Sequence, residues 1–197
     1  MIKDTLSEND AEVIHRVVRG EVNAFEILMN RYQEQVLRIV KKRVPYGRIE
    51  EMAQEVFIRA YQGLPAIRQK ENFRHWISSI AVRTCHDFWR KEYRQREIPI
   101  SDLTDDHGKW LEDVSAERSP SHDQNLRRKE AAELLDWALG RLSAAERSVF
   151  ELVYLEGLSG KEAASLLGWS VANVKVRSFR CRKKMKKLLS ELLQEKQ

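Results

Sequence analysis

Apolar residues recur at intervals of three and four along most of this chain, which is the spacing of an amphipathic helix. The pattern predicts helices over about 11–19, 22–44, 49–61, 73–94, 126–139 and 144–156, followed by two more near the end of the chain. Gly20, Gly63, Gly140 and Gly157 separate several of them, as glycine does at helix ends. No stretch has the alternating pattern of a strand, so we expect an all-α fold.

The last two predicted helices are joined by a tight turn. Ser159 and Glu162 form an S-x-x-E capping box, Gly168 suits the end of the short helix, and Ser170 can cap a longer one that runs from Val171 to about Leu189. The face of the long helix opposite its apolar side carries Ala172, Lys175, Val176, Phe179, Arg180 and Lys183. This pattern is typical of a helix-turn-helix, whose second helix enters the major groove, although a solvated basic helix at the end of a bundle is the alternative.

Periodicity is lost between Gln95 and Asn125. This stretch contains Pro99 and Pro120, and acidic residues outnumber basic ones along most of it. Such a composition need not fold by itself. We therefore predict two small helical domains, 1–94 and 126–197, joined by a flexible acidic linker over 95–125.

The positions of the charged residues along the chain are more informative about function than the net charge is. The chain has 197 residues with a net charge of +5. Its basic residues are concentrated in Arg83–Arg96 and Lys175–Lys187, on either side of the acidic linker. Two basic patches indicate two contacts with nucleic acid.

The helix predicted over 73–94 interleaves aromatic residues with arginines. Exposed bases stack on aromatic rings and phosphates need cations, so this pattern suits a single-strand binder. The alternative is that the rings are core. We expect Trp76 and Phe88 to be core and leave Phe73 and Trp89 open.

The sequence does not support a membrane or secreted protein, a metal-binding protein or an enzyme. No apolar run approaches the length of a membrane span and the N-terminus lacks the core of a signal peptide, so we expect a cytoplasmic protein. Cys85 and Cys181 lack a CxxC partner and the five histidines show no ligand spacing, which predicts reduced thiols and no metal. With no P-loop and no nucleophile beside a base, we expect neither a cofactor nor an enzyme activity.

Four stretches resemble one protein family. Gly20–Tyr32, Ile49–Tyr61 and Leu158–Met185 are similar to its most recognisable segments, and Phe73–Arg90 is a looser match. The family is the extracytoplasmic-function sigma factors, the smallest class of bacterial RNA polymerase sigma subunit. The resemblance implies two helical domains that grip core RNA polymerase and read two elements of promoter DNA. It also implies an anti-sigma partner.

The resemblance assigns candidate roles residue by residue. In the family the segment matched by Ile49–Tyr61 docks on a polymerase coiled coil, which implies docking by Glu50, Glu51, Gln54, Glu55 and Arg59. The family's fourth helix and preceding loop read the melted minus-ten element, which implies contacts from Arg68, Lys70, Arg74, Arg83, His86, Asp87 and Arg90. Its second helix-turn-helix helix reads the minus-thirty-five element, which implies contacts from Lys175, Val176, Phe179 and Arg180, with Arg177 and Lys183 reaching phosphates.

Three positions depart from the family pattern, and one of them is Val176, which replaces a common small polar residue. Arg83 stands where many relatives have asparagine, and Ser178 replaces a usual leucine, which predicts looser packing there. Two other functions stay open at this point. One is a conventional helix-turn-helix regulator that needs no polymerase, and the other is a degenerate relative that acts as a protein-interaction module.

Overall fold

Every regular element is helical in the computed structural model, which describes residues 9–67, 72–95 and 122–195. The helices are α1 (Asp10–Val18), α2 (Phe25–Lys41), α3 (Ile49–Gly63), α4 (Phe73–Gln95), α5 (His122–Leu139), α6 (Ala144–Phe150), α7 (Gly160–Leu167) and α8 (Val171–Glu195). The prediction of an all-α fold is confirmed. Residues 96–121, which include most of the predicted acidic linker, lie outside the described residues.

Side-chain caps place several helix starts where the sequence predicts them. Asn9, Ser143 and Ser159 each accept a hydrogen bond from the backbone N–H three residues on, and the glutamate at that position bonds back to the cap. These reciprocal bonds satisfy amide groups that a helix start otherwise leaves unpaired. Gly168 ends α7 in the left-handed conformation with φ of +69°, which explains the glycine at the turn.

Helices α1 to α4 enclose one hydrophobic core. Its fully buried side chains include Ile14, Leu28, Val56, Phe73 and Ile77. Phe73 and Trp89, which the sequence left open, are buried, whereas Trp76 and Phe88 are half-buried and pack against the same cluster. The four rings of α4 therefore contribute to packing, Phe73 and Trp89 fully and Trp76 and Phe88 in part.

The second half is built around the helix-turn-helix. Helix α6 continues into one π-helical turn at Glu151–Leu155, and α8 packs across both α6 and α7. The predicted apolar side of α8 is confirmed, since Val174, Cys181 and Met185 are buried. Ser178 does not leave a simple gap, because its hydroxyl lies 2.8 Å from the hydroxyl of Tyr154.

The two halves pack directly against each other through α4. Val82 of α4 is 2% exposed and belongs to the hydrophobic cluster of the second half. Trp89 donates its indole N–H to the carbonyl of Arg43 at 2.6 Å, and the guanidinium of Arg147 lies 3.8 Å over the same ring. Helix α4 thus serves as core for the first half and as contact surface for the second.

Burial explains the chemistry of both cysteines. Each is a free thiol, and burial raises the pKa of Cys85 to about 12 and that of Cys181 to about 11. Because the thiolate is the reactive form, we expect both cysteines to alkylate slowly in the folded protein. Among the described helices, none is both long and apolar enough to cross a membrane.

Candidate nucleic-acid and polymerase interfaces

The outer face of α8 is the most open surface of the helix-turn-helix. The residues on the face predicted to lie away from the core are all exposed, among them Phe179 at 62%. Lys175, Val176 and Arg180 share this face with Phe179 over the first turns of the helix. A basic helix face with two apolar side chains can offer both hydrogen bonds and methyl contacts to base edges.

Arg177 differs from its neighbours on α8. Its Nε donates to the side-chain oxygen of Asn173 at 2.6 Å, and its guanidinium lies 5.2 Å from the centre of the Trp169 ring. The half-buried side chain is therefore held against the turn. Lys183, its predicted companion in phosphate binding, is exposed.

An open groove of about 770 Å³ lies between α2 and α3, and we call it the α2–α3 groove. Its apolar lining includes Phe25 and Phe57 together with exposed large side chains. These exposed members are Val22, Met29, Ile58 and Tyr61. Exposed apolar side chains gathered in a groove between helices provide a surface for a partner helix.

The five residues predicted to dock on polymerase do not share one surface. Glu50 and Gln54 line the α2–α3 groove, on the same stripe as Ile58. Glu51 instead pairs with Arg48 at 2.8 Å. Glu55 and Arg59 pair with each other at 2.6 Å, and Arg59 also reaches Asp87 of α4 at 2.9 Å.

The apolar members of this groove were not predicted from the sequence. Ile58 is 51% exposed on α3, one helical turn beyond Gln54. The signal was present in the sequence, because an isoleucine at this spacing interrupts an otherwise polar outer stripe formed by Glu50 and Gln54.

A second cavity, of about 570 Å³, lies along the first three turns of α4, beside Ile67 and α7. Its lining includes Ile67, Asn72, Trp76, Ile80 and Arg83 from the first half, and Ser165 from α7. We call it the α4 pocket. Arg68 and Lys70, which were predicted to contribute to the minus-ten site, lie outside the described residues.

The remaining residues predicted for the minus-ten element have divergent surroundings. Arg74 is exposed near the start of α4, and Arg83 donates from Nε to the carbonyl of Leu166 at 3.2 Å. Asp87 pairs with both Arg59 and Arg90. Asp87 therefore links α3 to α4. Of the predicted minus-ten residues that the structure describes, Arg83 and His86 contact the second half.

His86 lies at the boundary between the halves. Its Nδ1 is 3.1 Å from the hydroxyl of Ser148 on α6, and its ring meets Trp169 edge-on at 5.4 Å. Burial lowers the pKa of His86; Asp87 opposes this shift, whereas the positive charges of Arg90 and Arg177 reinforce it. The neutral imidazole is therefore the form that fits this contact.

Acidification should weaken the packing of the two halves through His86. Because the pKa of His86 is lowered in the folded protein, the unfolded chain binds a proton at a higher pH than the folded protein does. The free energy of unfolding therefore falls as the pH drops below the ordinary histidine pKa of about 6.5. It levels off once the pH is below the pKa of His86 in the folded protein. Histidine NMR titration should place the pKa of His86 below the ordinary histidine value of about 6.5, and His86→Gln should reduce the pH dependence of unfolding. A His86 resonance that titrates at or above the ordinary pKa would contradict this expectation.

Each half of the chain matches a known protein family. Residues 28–95 match the family described as Sigma-70 region 2, and residues 132–185 match Sigma-70, region 4. The chain is 30% identical to the RNA polymerase sigma-H factor of Pseudomonas aeruginosa over 190 residues, which cover 95% of this chain and 97% of that protein. It is also 30% identical to the ECF RNA polymerase sigma-E factor of Escherichia coli K12 over 174 residues, which cover 88% and 90% of the two chains.

Solved structures share the fold. The structure of CnrH in complex with the cytosolic domain of CnrY matches with a TM-score of 0.51 and 23% identity, covering 93% of this chain and 99% of that one.

Proposed function

The chain belongs to the extracytoplasmic-function branch of the sigma-70 family, and we propose that its two halves divide promoter recognition between them. It is a transcription initiation factor and not an enzyme. In this proposal residues 126–197 read the minus-thirty-five element, while residues 1–94 bind core RNA polymerase and open the minus-ten element. The acidic linker, 95–125, joins them, and the protein works in the cytoplasm, where the polymerase and DNA are.

One observation carries the proposal. A single chain presents an exposed DNA-reading face on α8 and an exposed apolar groove between α2 and α3. A conventional helix-turn-helix regulator needs the DNA-reading face, but it does not need a groove that binds polymerase. Both surfaces together suit a subunit that connects polymerase to DNA.

For the upstream element, the exposed face of α8 lies in the major groove. Lys175 and Arg180 can donate to the acceptor atoms of guanine, and Val176 can contact a thymine methyl group. Phe179 is also exposed on this face and adds apolar contact. Arg177 and Lys183 serve the backbone phosphates, Arg177 after releasing its contacts with Asn173 and Trp169.

For the polymerase, the α2–α3 groove accepts a helix of the partner's coiled coil. Ile58 and Met29 supply apolar contact, and Glu26, Glu50 and Gln54 supply a polar, acidic edge. Such an edge suits a basic partner, because opposite charges favour the correct encounter. An anti-sigma protein that covered this groove would compete directly with polymerase, and we include such a partner in the proposal.

For the minus-ten element, the α4 pocket receives an unstacked base of the non-template strand. Its half-buried Trp76 edge and the side chain of Asn72 provide an apolar wall and a hydrogen-bonding group. Extracting a base costs a few kcal/mol, so the pocket has to return contacts to it. Arg74, exposed on α4, is placed to reach a phosphate of the same strand. Arg68 and Lys70 remain candidates for the same role from the sequence alone.

The decisive experiment is transcription with purified components. The protein should co-elute with core polymerase and start transcripts from promoters selected out of a random duplex library. A protein that binds duplex DNA without core polymerase and starts no transcript would instead be the conventional regulator.

Arg180→Ala should weaken discrimination of the selected upstream element by about 1–3 kcal/mol, the worth of a good bidentate base contact. Binding is measured with the holoenzyme on the selected duplex and on one with a scrambled upstream element. Arg182→Ala removes the same charge from a flank of the helix and should not change the ratio of the two affinities. An equal loss on both duplexes from Arg180→Ala would show that Arg180 contacts only phosphates.

A further inference from the structure

We propose that Tyr154 is a positioning residue for the DNA-reading face of α8. Its hydroxyl holds the helix at Ser178, which directly precedes Phe179 and Arg180 of that face. Tyr154 acts through α8 and does not itself read a base. The inference rests on the proposed function for the role of Arg180, whereas the contact that carries it lies within the second half alone.

Two hydrogen bonds join Tyr154 to one residue of α8. The tyrosine hydroxyl donates to the carbonyl of Ser178 at 3.3 Å, and it lies 2.8 Å from the serine hydroxyl. Since a hydroxyl both donates and accepts, the serine can donate to the tyrosine oxygen while the tyrosine donates to the carbonyl. The same carbonyl accepts from the buried thiol of Cys181 at 3.2 Å. This part of α8 is therefore tied by its backbone to a side chain from outside the helix.

The local backbone directs Tyr154 toward α8. Tyr154 lies in the π-helical turn Glu151–Leu155 that follows α6, where the N–H of Glu156 bonds to the carbonyl of Glu151 at 3.0 Å. Such a turn holds one residue more than an α-helical turn, which changes the direction of the side chains in it, and single π-turns frequently occur at functional sites. The ring of Phe150 lies 5.2 Å from that of Tyr154 and restricts its orientation.

The other contacts of α8 on this side are apolar. Ser178 is half-buried between Val174 and Cys181, which are buried together with Met185. Apolar contacts are non-directional, so they tolerate a small rotation or slide of the helix. A hydrogen bond weakens when its distance or angle changes. The pair with Tyr154 therefore supplies the directional constraint that the apolar side of α8 lacks.

The departure of Ser178 from the family pattern makes this contact possible. The resemblance places a leucine at this position, and a leucine has no hydroxyl to bond with Tyr154. Another polar contact between α6 and α8 joins Lys184 to Glu146 at 3.8 Å, but the lysine side chain is 44% exposed and such a pair contributes little. The contact with Tyr154 is thus the stronger constraint on the position of α8.

The position of α8 matters most for contacts with bases. Arg180 lies two residues beyond Ser178, so a displacement at Ser178 is transmitted to its guanidinium through the helix. Hydrogen bonds to base edges require a defined geometry, whereas attraction to phosphates carries no sequence information. Loss of the Tyr154 contact should therefore reduce discrimination between sequences and leave the general affinity for DNA unchanged.

Tyr154→Phe is the direct test, because it removes one oxygen and keeps the ring. The holoenzyme is titrated with the selected duplex and with one whose upstream element is scrambled. The ratio of the two affinities should fall about fivefold, the factor that one hydrogen bond contributes, with the affinity for the scrambled duplex unchanged. Ser178→Ala should lower the ratio equally, and the two changes together should lower it no further. Tyr46→Phe and Ser190→Ala, which remove exposed hydroxyls elsewhere, should leave it unchanged.

Combination with Arg180→Ala shows whether Tyr154 acts through Arg180. If it does, Tyr154→Phe should cause little further loss of discrimination once Arg180 has been removed. A combined loss equal to the product of the two single losses would overturn the inference. An equal loss on both duplexes from Tyr154→Phe would also overturn it, because Tyr154 would then contact a phosphate directly. An unchanged ratio would show that the hydroxyl has no role in reading DNA.

A measurement without DNA separates the inference from the proposed function. Residual dipolar couplings of the free full-length protein report the direction of each N–H bond. Tyr154→Phe should shift the couplings of amides 178–182 relative to those of α7, whereas Tyr46→Phe should not. Unchanged couplings would overturn the inference. If Arg180→Ala leaves the affinity ratio unchanged, the proposed role of Arg180 fails, and the couplings still decide whether Tyr154 holds α8 in place.

Discussion

Arg147→Met should lower the free energy of unfolding by about 3–5 kcal/mol, because it leaves a buried carboxylate without its partner. Arg147 donates from Nε to Glu151 at 2.8 Å, and the two side chains are only 7% and 6% exposed. Burial raises the pKa of the Glu151 carboxyl, while the charges of Arg147 and Arg43 oppose that shift. Methionine would retain much of the packing over Trp89 but none of the charge.

Urea denaturation checks this expectation. Arg48→Met is the matched control, since its pair with Glu51 is exposed and should be worth less than about 1 kcal/mol. The double variant Arg147→Met with Glu151→Leu should regain most of the loss, because it removes the unpaired charge along with its partner.

The decrease in the free energy of unfolding caused by Arg147→Met should also depend on pH. In Arg147→Met the folded protein binds a proton at Glu151 more readily than the unfolded chain does, so stability falls as the pH rises from the ordinary glutamate pKa to that of the folded form. The deficit should therefore be larger at about pH 8 than at about pH 5. A deficit below about 1 kcal/mol at both pH values would contradict the expectation that Arg147 compensates the charge of a buried Glu151.

Ile58→Asp should weaken binding to core polymerase by about 2–4 kcal/mol, the size of effect typical of a central interface residue. Ile58 projects into the α2–α3 groove between Gln54 and Tyr61. A carboxylate there would remove apolar contact and would have to lose its water when a partner helix binds. The measurement is competition with the unmodified protein for a limiting amount of core polymerase.

A matched variant separates this effect from a general loss of stability. Val18→Asp makes a comparable change on α1, at an exposed residue outside the groove, and should compete as well as the unmodified protein. Glu55→Lys is a less selective test, because it also breaks the pairing that links Glu55 through Arg59 to Asp87. If Ile58→Asp competes fully, the groove is not the polymerase contact.

Local chemistry determined most of the secondary structure from the sequence alone. The capping box at Ser159 and the glycine at 168 lie where the sequence predicts them, because their bonds connect residues three to five positions apart. The exposed face of α8 could be predicted for the same reason, since helical periodicity orders its side chains before any packing is known. The start of α5 at His122 had no comparable signal and was predicted later, near Leu126.

Only the tertiary structure decided which surfaces face each other. The stripe of Glu50, Gln54 and Ile58 becomes one wall of the α2–α3 groove only when α3 packs on α2. Arg59 finds its partner Asp87 only when α4 packs on α3. Likewise, the contact of Arg83 with Leu166 joins residues 83 positions apart. A hydrophobic pattern identifies the buried side of each helix, but the partner of a polar side chain depends on distances that exist only after the helices have packed.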